Sequence, residues 1–235
     1  MLLKLYERLA DISFNFGFFK TWLFFSERVR AQDFKNLKCY NQPIAYYCRQ
    51  GQISKARELA GDLEWLSDID VWEIFHYYNG YIEFIEGNYE KSADGFYKSF
   101  DIENIYCADD IWMIYFALAR VAPANKKLLL EFKKKYSKDR AKIQFELNCV
   151  NFLLDEIDQE TFILENVCEY CKTAIYSDTL KLFIIAEKNR LDGNFQNAKA
   201  AYEEILEKDK ICLYTEIARQ EIKKLPASQF TAFPS

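Results

Sequence analysis

Apolar residues return every three or four positions along most of this chain, the period of helices with one buried face. Leu3 to Phe14 and Phe19 to Gln32 predict two helices meeting at Gly17. A second pair turns at Gly51, after which Ile53, Ala56 and Ala60 keep the period. Pro43 limits the first helix of that pair, because proline is tolerated only near a first turn; Asn41 is therefore the expected N-cap, with Pro43 just inside. The stretch GYIEFIEGNYEKSADGFYKSF, Gly80 to Phe100, reads as the end of one helix, a corner at Gly87-Asn88, and a second helix carrying Tyr89, Ser92, Phe96 and Ser99. Residues 111–122, IWMIYFALARVA, form the next helix, which turns at Ala122-Pro123 into Asn125 to Tyr136. Asp139 to Leu154 and Gln159 to Lys172 flank an acid-rich connection. Gly193-Asn194-Phe195, followed by Ala198, Tyr202 and Ile205, repeats the wording of the Gly87 corner. Cys212 to Leu225 is one more helix, with Tyr214, Ile217, Ala218, Ile222 and Leu225 on a shared face.

The corner glycines Gly17, Gly51, Gly87 and Gly193 are separated by 34, 36 and 106 residues, the last close to three units of about 35. Segment 73–106 places Gly80, Gly87, Tyr89, Ser92, Phe96 and Ser99 where segment 179–212 places Ala186, Gly193, Phe195, Ala198, Tyr202 and Ile205. Both segments resemble tetratricopeptide repeats, with His76 and Leu182 at the family's tryptophan position and Lys210 where its closing proline stands. The resemblance implies an all-α fold: a right-handed superhelical solenoid of about six helix-turn-helix repeats. In that register the repeats span approximately 3–36, 37–72, 73–106, 107–138, 139–175 and 179–212. Residues 212–225 would be a capping helix, 1–225 one domain, and 226–235 a loose tail.

The family's first helices line a concave groove, and the matching positions here are Lys38 and Asn41, then Tyr77, Tyr81 and Phe84, then Ile111 and Tyr115. Lys38 and Asn41 supply at most part of the family's carboxylate clamp, since Asp11 occupies the corresponding place in the first unit. A groove walled by tyrosines suits a peptide with apolar anchors, because Tyr joins area to a polar tip. The run Phe14, Phe16, Phe18, Phe19, Trp22, Phe24 and Phe25 is too aromatic for one helix face. It predicts an interface through Phe24 and Phe25, with a partner or in a homodimer.

Composition narrows the functional classes. Half of the 235 residues are hydrophobic and 17% aromatic, enough for a continuous core, while 7 Gly and 4 Pro are too few for a many-stranded sandwich. The net charge of -5, with Lys133-Lys134-Lys135 as the one basic block, argues against nucleic acid as a partner. Seven scattered cysteines fit a reducing compartment, and the apolar run from Phe14 to Phe25 falls short of the ~20 residues of a membrane span. The expected location is the cytoplasm.

Candidate chemistry is thin. His76 is the sole histidine and sits at a packing position with no nucleophile beside it in sequence. Cys168 and Cys171 form a C-x-x-C without a second pair or a nearby His to complete a zinc site. Asp109-Asp110, Asp155-Glu156 and Asp158 read as helix-start carboxylates. No phosphate-loop, dinucleotide or nucleophile-elbow string occurs. The expected function is therefore non-enzymatic, without catalytic residues, cofactor or metal: a scaffold, adaptor or chaperone-like protein holding a partner segment in its groove. The alternative is a helical immunity or inhibitor protein that blocks one target.

Overall fold

A computed structural model describes residues 2–36, 38–64, 69–99, 110–137, 143–165, 174–208 and 214–225. Every regular element among them is a helix, thirteen in all: α1 (Leu2–Asn15), α2 (Phe19–Gln32), α3 (Lys38–Arg49), α4 (Ile53–Glu64), α5 (Ile69–Glu86), α6 (Tyr89–Ser99), α7 (Asp110–Val121), α8 (Lys127–Tyr136), α9 (Gln144–Leu153), α10 (Gln159–Glu165), α11 (Ala174–Leu191), α12 (Phe195–Glu207) and α13 (Tyr214–Lys224). Among these helices none is long and apolar enough to cross a membrane.

The corners share one backbone geometry. Gly17, Gly51, Gly87 and Gly193 adopt φ of 74°, 67°, 82° and 77°. At each, the glycine N–H donates three residues back and the next N–H donates five back, as in Gly87 to Phe84 O (3.1 Å) and Asn88 to Glu83 O (2.9 Å). This is a Schellman ending, whose left-handed residue satisfies two orphan carbonyls of the helix. Asp155 makes the same ending at φ 65°, with its N–H to Phe152 O (3.1 Å) and that of Glu156 to Asn151 O (2.9 Å). It stands 68 residues after Gly87 and 38 before Gly193, inside the interval that held no corner glycine. Asp tolerates this conformation better than most side chains, and Lys126 and Lys188 both pair with its carboxylate. Asp158 is the expected cap of the following helix: its Oδ1 accepts the Thr161 N–H at 2.8 Å.

Consecutive helices pack as hairpins, most closely α1 on α2, α5 on α6 and α11 on α12. The tightest approach is at Gly80 and Gly95, where a Cβ on Gly95 would lie 3.0 Å from the Gly80 Cα and 3.2 Å from the His76 carbonyl oxygen. Ser92 fits beside them by donating its hydroxyl to Gly80 O at 2.8 Å. In α11 and α12, Ala186 and Ala198 are the small, fully buried counterparts.

Two expectations need correction. Helix α3 begins at Lys38, so Asn41 lies inside it and Pro43 is its sixth residue. Proline there removes one bond, to the carbonyl four residues back, near the helix start where few are made; the ring is buried. The second concerns the C-terminal helix. It does not only cover the last hairpin, for α13 packs on α12, α11, α3 and α5 at once.

Candidate interaction surfaces

The expected inner wall is filled from within. Tyr81 is fully buried; its ring packs edge-on against Phe96 (4.9 Å between centroids) and against Tyr214 of α13 (5.9 Å). The Tyr81 and Tyr214 hydroxyls lie 3.0 Å apart, within hydrogen-bond distance. Tyr77 is half-buried against Tyr81 at 4.9 Å. Phe84 is buried beneath the Arg120 guanidinium, 5.3 Å from its ring centroid. Ile111 and Tyr115 are buried too, and burial raises the Tyr115 hydroxyl above its ordinary pKa. Tyr81, Phe84, Ile111 and Tyr115 therefore do not line an open groove. The physical reason is that each is an apolar or amphipathic side chain on a face that neighbouring helices cover, α13 on α5, and α6, α8 and α11 on α7, and burial stabilises it there. Lys38 and Asn41 lie on α3, with side chains outside the described residues.

A buried ionic cluster holds that closure. Arg120, at the end of α7, donates through both terminal nitrogens to the Glu187 carboxylate of α11, each at 2.8 Å. It also pairs with Glu221 of α13 at 3.1 Å. Tyr202 of α12 donates to Glu187 at 2.6 Å, and Arg190 approaches it at 3.2 Å. Lys224 bonds both Glu221 (2.9 Å) and the Tyr89 hydroxyl (3.2 Å). Glu187 is fully buried, and that burial raises its carboxyl above the ordinary range against the opposing pull of Arg120. At the other end of α13, Arg219 donates to the carbonyl oxygen of Arg49 at 3.2 Å and pairs with Glu216, whose carboxylate lies beside Gly51. Sequence reasoning missed this cluster. The signal was present, since Phe183, Ile184, Glu187 and Leu191 share one helical stripe and a carboxylate within it needs a buried partner.

The N-terminal hairpin presents the opposite situation. Phe24 is 49% exposed with Arg28 stacked over it at 5.1 Å, and Phe25 is half-buried against Tyr6 at 6.0 Å. Helix α1 carries two apolar stripes. Ala10 and Ser13 are buried and, with Leu3 and Tyr6, lie on the face towards α2. Leu2, Leu5, Ile12 and Phe16 face outward, exposed, with Leu9 half-exposed among them. The ring of Phe18 stacks on that of Phe16 across the Gly17 corner, 6.4 Å between centroids. Trp22 and Phe19 anchor the hairpin to Tyr46 of α3 at 5.7 and 5.8 Å.

The candidates for chemistry do not converge. His76 is half-buried, tilted against Phe75 at 4.9 Å, and its pKa is lowered by burial and then by Lys98. Cys168 and Cys171 lie outside the described residues. A cleft of about 260 Å3 between α2, α3 and α4 is lined by mixed charges, Glu27, Arg30, Lys55 and Glu58 among them. That volume is just under the ~300 Å3 lower bound for small-molecule pockets. Burial pushes the Cys39 thiol beside the cleft up to about 11, and that of Cys48 to about 12, which makes both poor nucleophiles. No protein-family model matches this chain, and no match is found among curated proteins.

Proposed function

We propose that this chain is a non-enzymatic protein-interaction scaffold built of tetratricopeptide-like hairpins, and that a protein partner docks on the outer face of the N-terminal hairpin. The observation that carries the reading is where apolar side chains stand exposed. Of thirteen large hydrophobics exposed among the described residues, seven fall between Leu2 and Phe34. A concentration of that kind marks an interaction site rather than the scatter of an ordinary surface. The repeat reading draws support from the shared corner geometry at Gly17, Gly51, Gly87, Asp155 and Gly193. The groove reading loses support, because α13 already occupies the wall on which a partner segment would lie. The proposal includes a cytoplasmic location, and the inert, buried thiols of Cys39 and Cys48, which suit a reducing compartment, are what supports it.

A second reading is favoured by the same closure. A helical protein with its inner wall filled and one apolar face left fits an inhibitor that blocks a single target. Affinity capture with the full chain, beside a Leu5→Glu/Phe16→Glu variant, tests both. One stoichiometric, salt-resistant partner lost in the variant supports the inhibitor; several weaker partners lost together support the scaffold. Capture that is unchanged in the variant refutes the docking face.

A further inference from the structure

We propose that the outer stripe of α1 joins two copies of this chain, with the two α1 helices antiparallel about a two-fold axis beside Leu9. The inference rests on the N-terminal hairpin being the docking face and names its occupant. Leu2, Leu5, Leu9, Ile12 and Phe16 follow one another at intervals of three, four, three and four residues. That is the seam spacing by which one helix packs along another, and it is centred on Leu9. The other apolar face of α1 is already committed to α2, so the helix has two seams and fills one.

Charge placement selects a second copy in one orientation. Lys4, Arg8 and Asp11 are exposed along one flank of the outer stripe, cations toward the start of the helix and the carboxylate toward its end. A two-fold axis at Leu9 that reverses the helix direction sets this flank against the same flank of the second copy. Arg8 then lies within a residue's offset of Asp11 of the second copy, and the pairing occurs twice. A parallel arrangement would set the charged flank against the flank of Tyr6 and Ser13, where α2 packs and Tyr6 is stacked on Phe25. In the antiparallel arrangement α2 of each copy lies on the same side, which brings Phe18 and Phe25 of both hairpins to the joint.

The area agrees with a reversible contact. Leu2, Leu5, Ile12, Phe16 and Phe18 are 53, 49, 51, 72 and 63% exposed. At about 200 Å2 for a large side chain they offer on the order of 600 Å2 per copy. Two copies together bury about 1,200 Å2, the lower end of specific interfaces. A dimer that forms and dissociates across the micromolar range follows, in place of an obligate one.

Sedimentation velocity of the full chain through that concentration range tests the proposal. The expected result is a mass that rises from one copy to two. Ile12→Glu, at an exposed position, abolishes the rise, while the helical circular dichroism and the melting temperature, read at concentrations where both chains are monomers, stay as they were. Arg8→Asp weakens the dimer about tenfold, as two pairs become repulsive, and adding Asp11→Arg to the same chain restores it. A monomer at every concentration, a dimer indifferent to Ile12→Glu, or a failure of Asp11→Arg to restore would each overturn it. A photo-cross-linking residue at Phe16 separates this failure from that of the docking face. Cross-links between copies support the dimer. Cross-links only to another protein overturn the second copy and keep the face, and no cross-link to any protein overturns both.

Discussion

Two glycines inside helices should answer the same substitution with opposite sign. Gly61 lies within α4, and a Cβ built there meets nothing within 4 Å. Replacing it with alanine removes glycine's helix penalty and restricts the unfolded chain, together worth up to about 1 kcal/mol of added stability. Gly95 lies within α6, where a Cβ would stand 3.0 Å from the Gly80 Cα, 3.1 Å from the Gly80 nitrogen and 3.2 Å from the His76 carbonyl oxygen. All three atoms are backbone, so α5 and α6 must move apart to admit the methyl group. Overpacking of that kind costs about 1–3 kcal/mol and offsets the same propensity gain, leaving a net loss of up to about 2 kcal/mol. For a chain of this length each kcal/mol moves the melting temperature by about 2–4 °C. Gly61→Ala should then melt up to about 4 °C higher and Gly95→Ala lower by up to about 8 °C, read by circular dichroism under one buffer. If both variants shift upward, the close approach of α5 and α6 at Gly80 is refuted, and with it the role of small residues in seating the hairpin.

Arg120→Ala strands the buried Glu187 carboxylate without its bidentate partner and should cost about 3–5 kcal/mol in urea unfolding, whereas Arg120→Met with Glu187→Met should cost less than the single change. Asp155→Ala should destabilise by about 1–2 kcal/mol, since alanine resists φ 65°. Asp155→Gly should cost less, and equal losses would place the whole effect in the lysine pairs. Lys126 and Lys188 hold the Asp155 carboxyl below its ordinary 3.8, so its contribution is present above that value and is lost as pH falls through the lower folded-state value. Acid titration of stability should accordingly be shallower in Asp155→Asn across that window.

The helices were legible because their signal is local. Periodicity and corner glycines placed α2 at residues 19–32 in sequence and in structure alike, since each corner needs a left-handed residue and glycine supplies it at no steric cost. The Asp155 corner escaped because aspartate adopts that conformation only with support, and the support is two lysines 29 and 33 residues away. The start of α3 was misjudged because proline's penalty was weighed without the burial that opposes it. The inner wall was misread for a different reason. A stripe of Tyr and Phe looks the same in sequence whether a partner or the chain's own α13 covers it, and the contact between Tyr81 and Tyr214 spans 133 residues. What marked the closure was the polar set Arg120, Glu187 and Glu221, three charges at positions that an open apolar groove would leave to hydrocarbon.

Those charges explain why α13 settles in one place. An apolar helix can slide along an apolar wall in several registers at little cost, because dispersion and desolvation are nondirectional. A guanidinium that must meet Glu187 and Glu221 together has one solution, and any other register would leave a charge buried without a partner. Helices α13 and α1 are thus treated unlike. Ionic contacts lock α13 over the apolar wall, whereas α1 turns an apolar seam outward with its charges sorted by sign along the flank. Loss of solubility alone would not arrange that seam at helix-packing intervals, nor set Arg8 and Asp11 on a single flank. The arrangement is that of an address, and its natural reader is another helical hairpin with the same spacing.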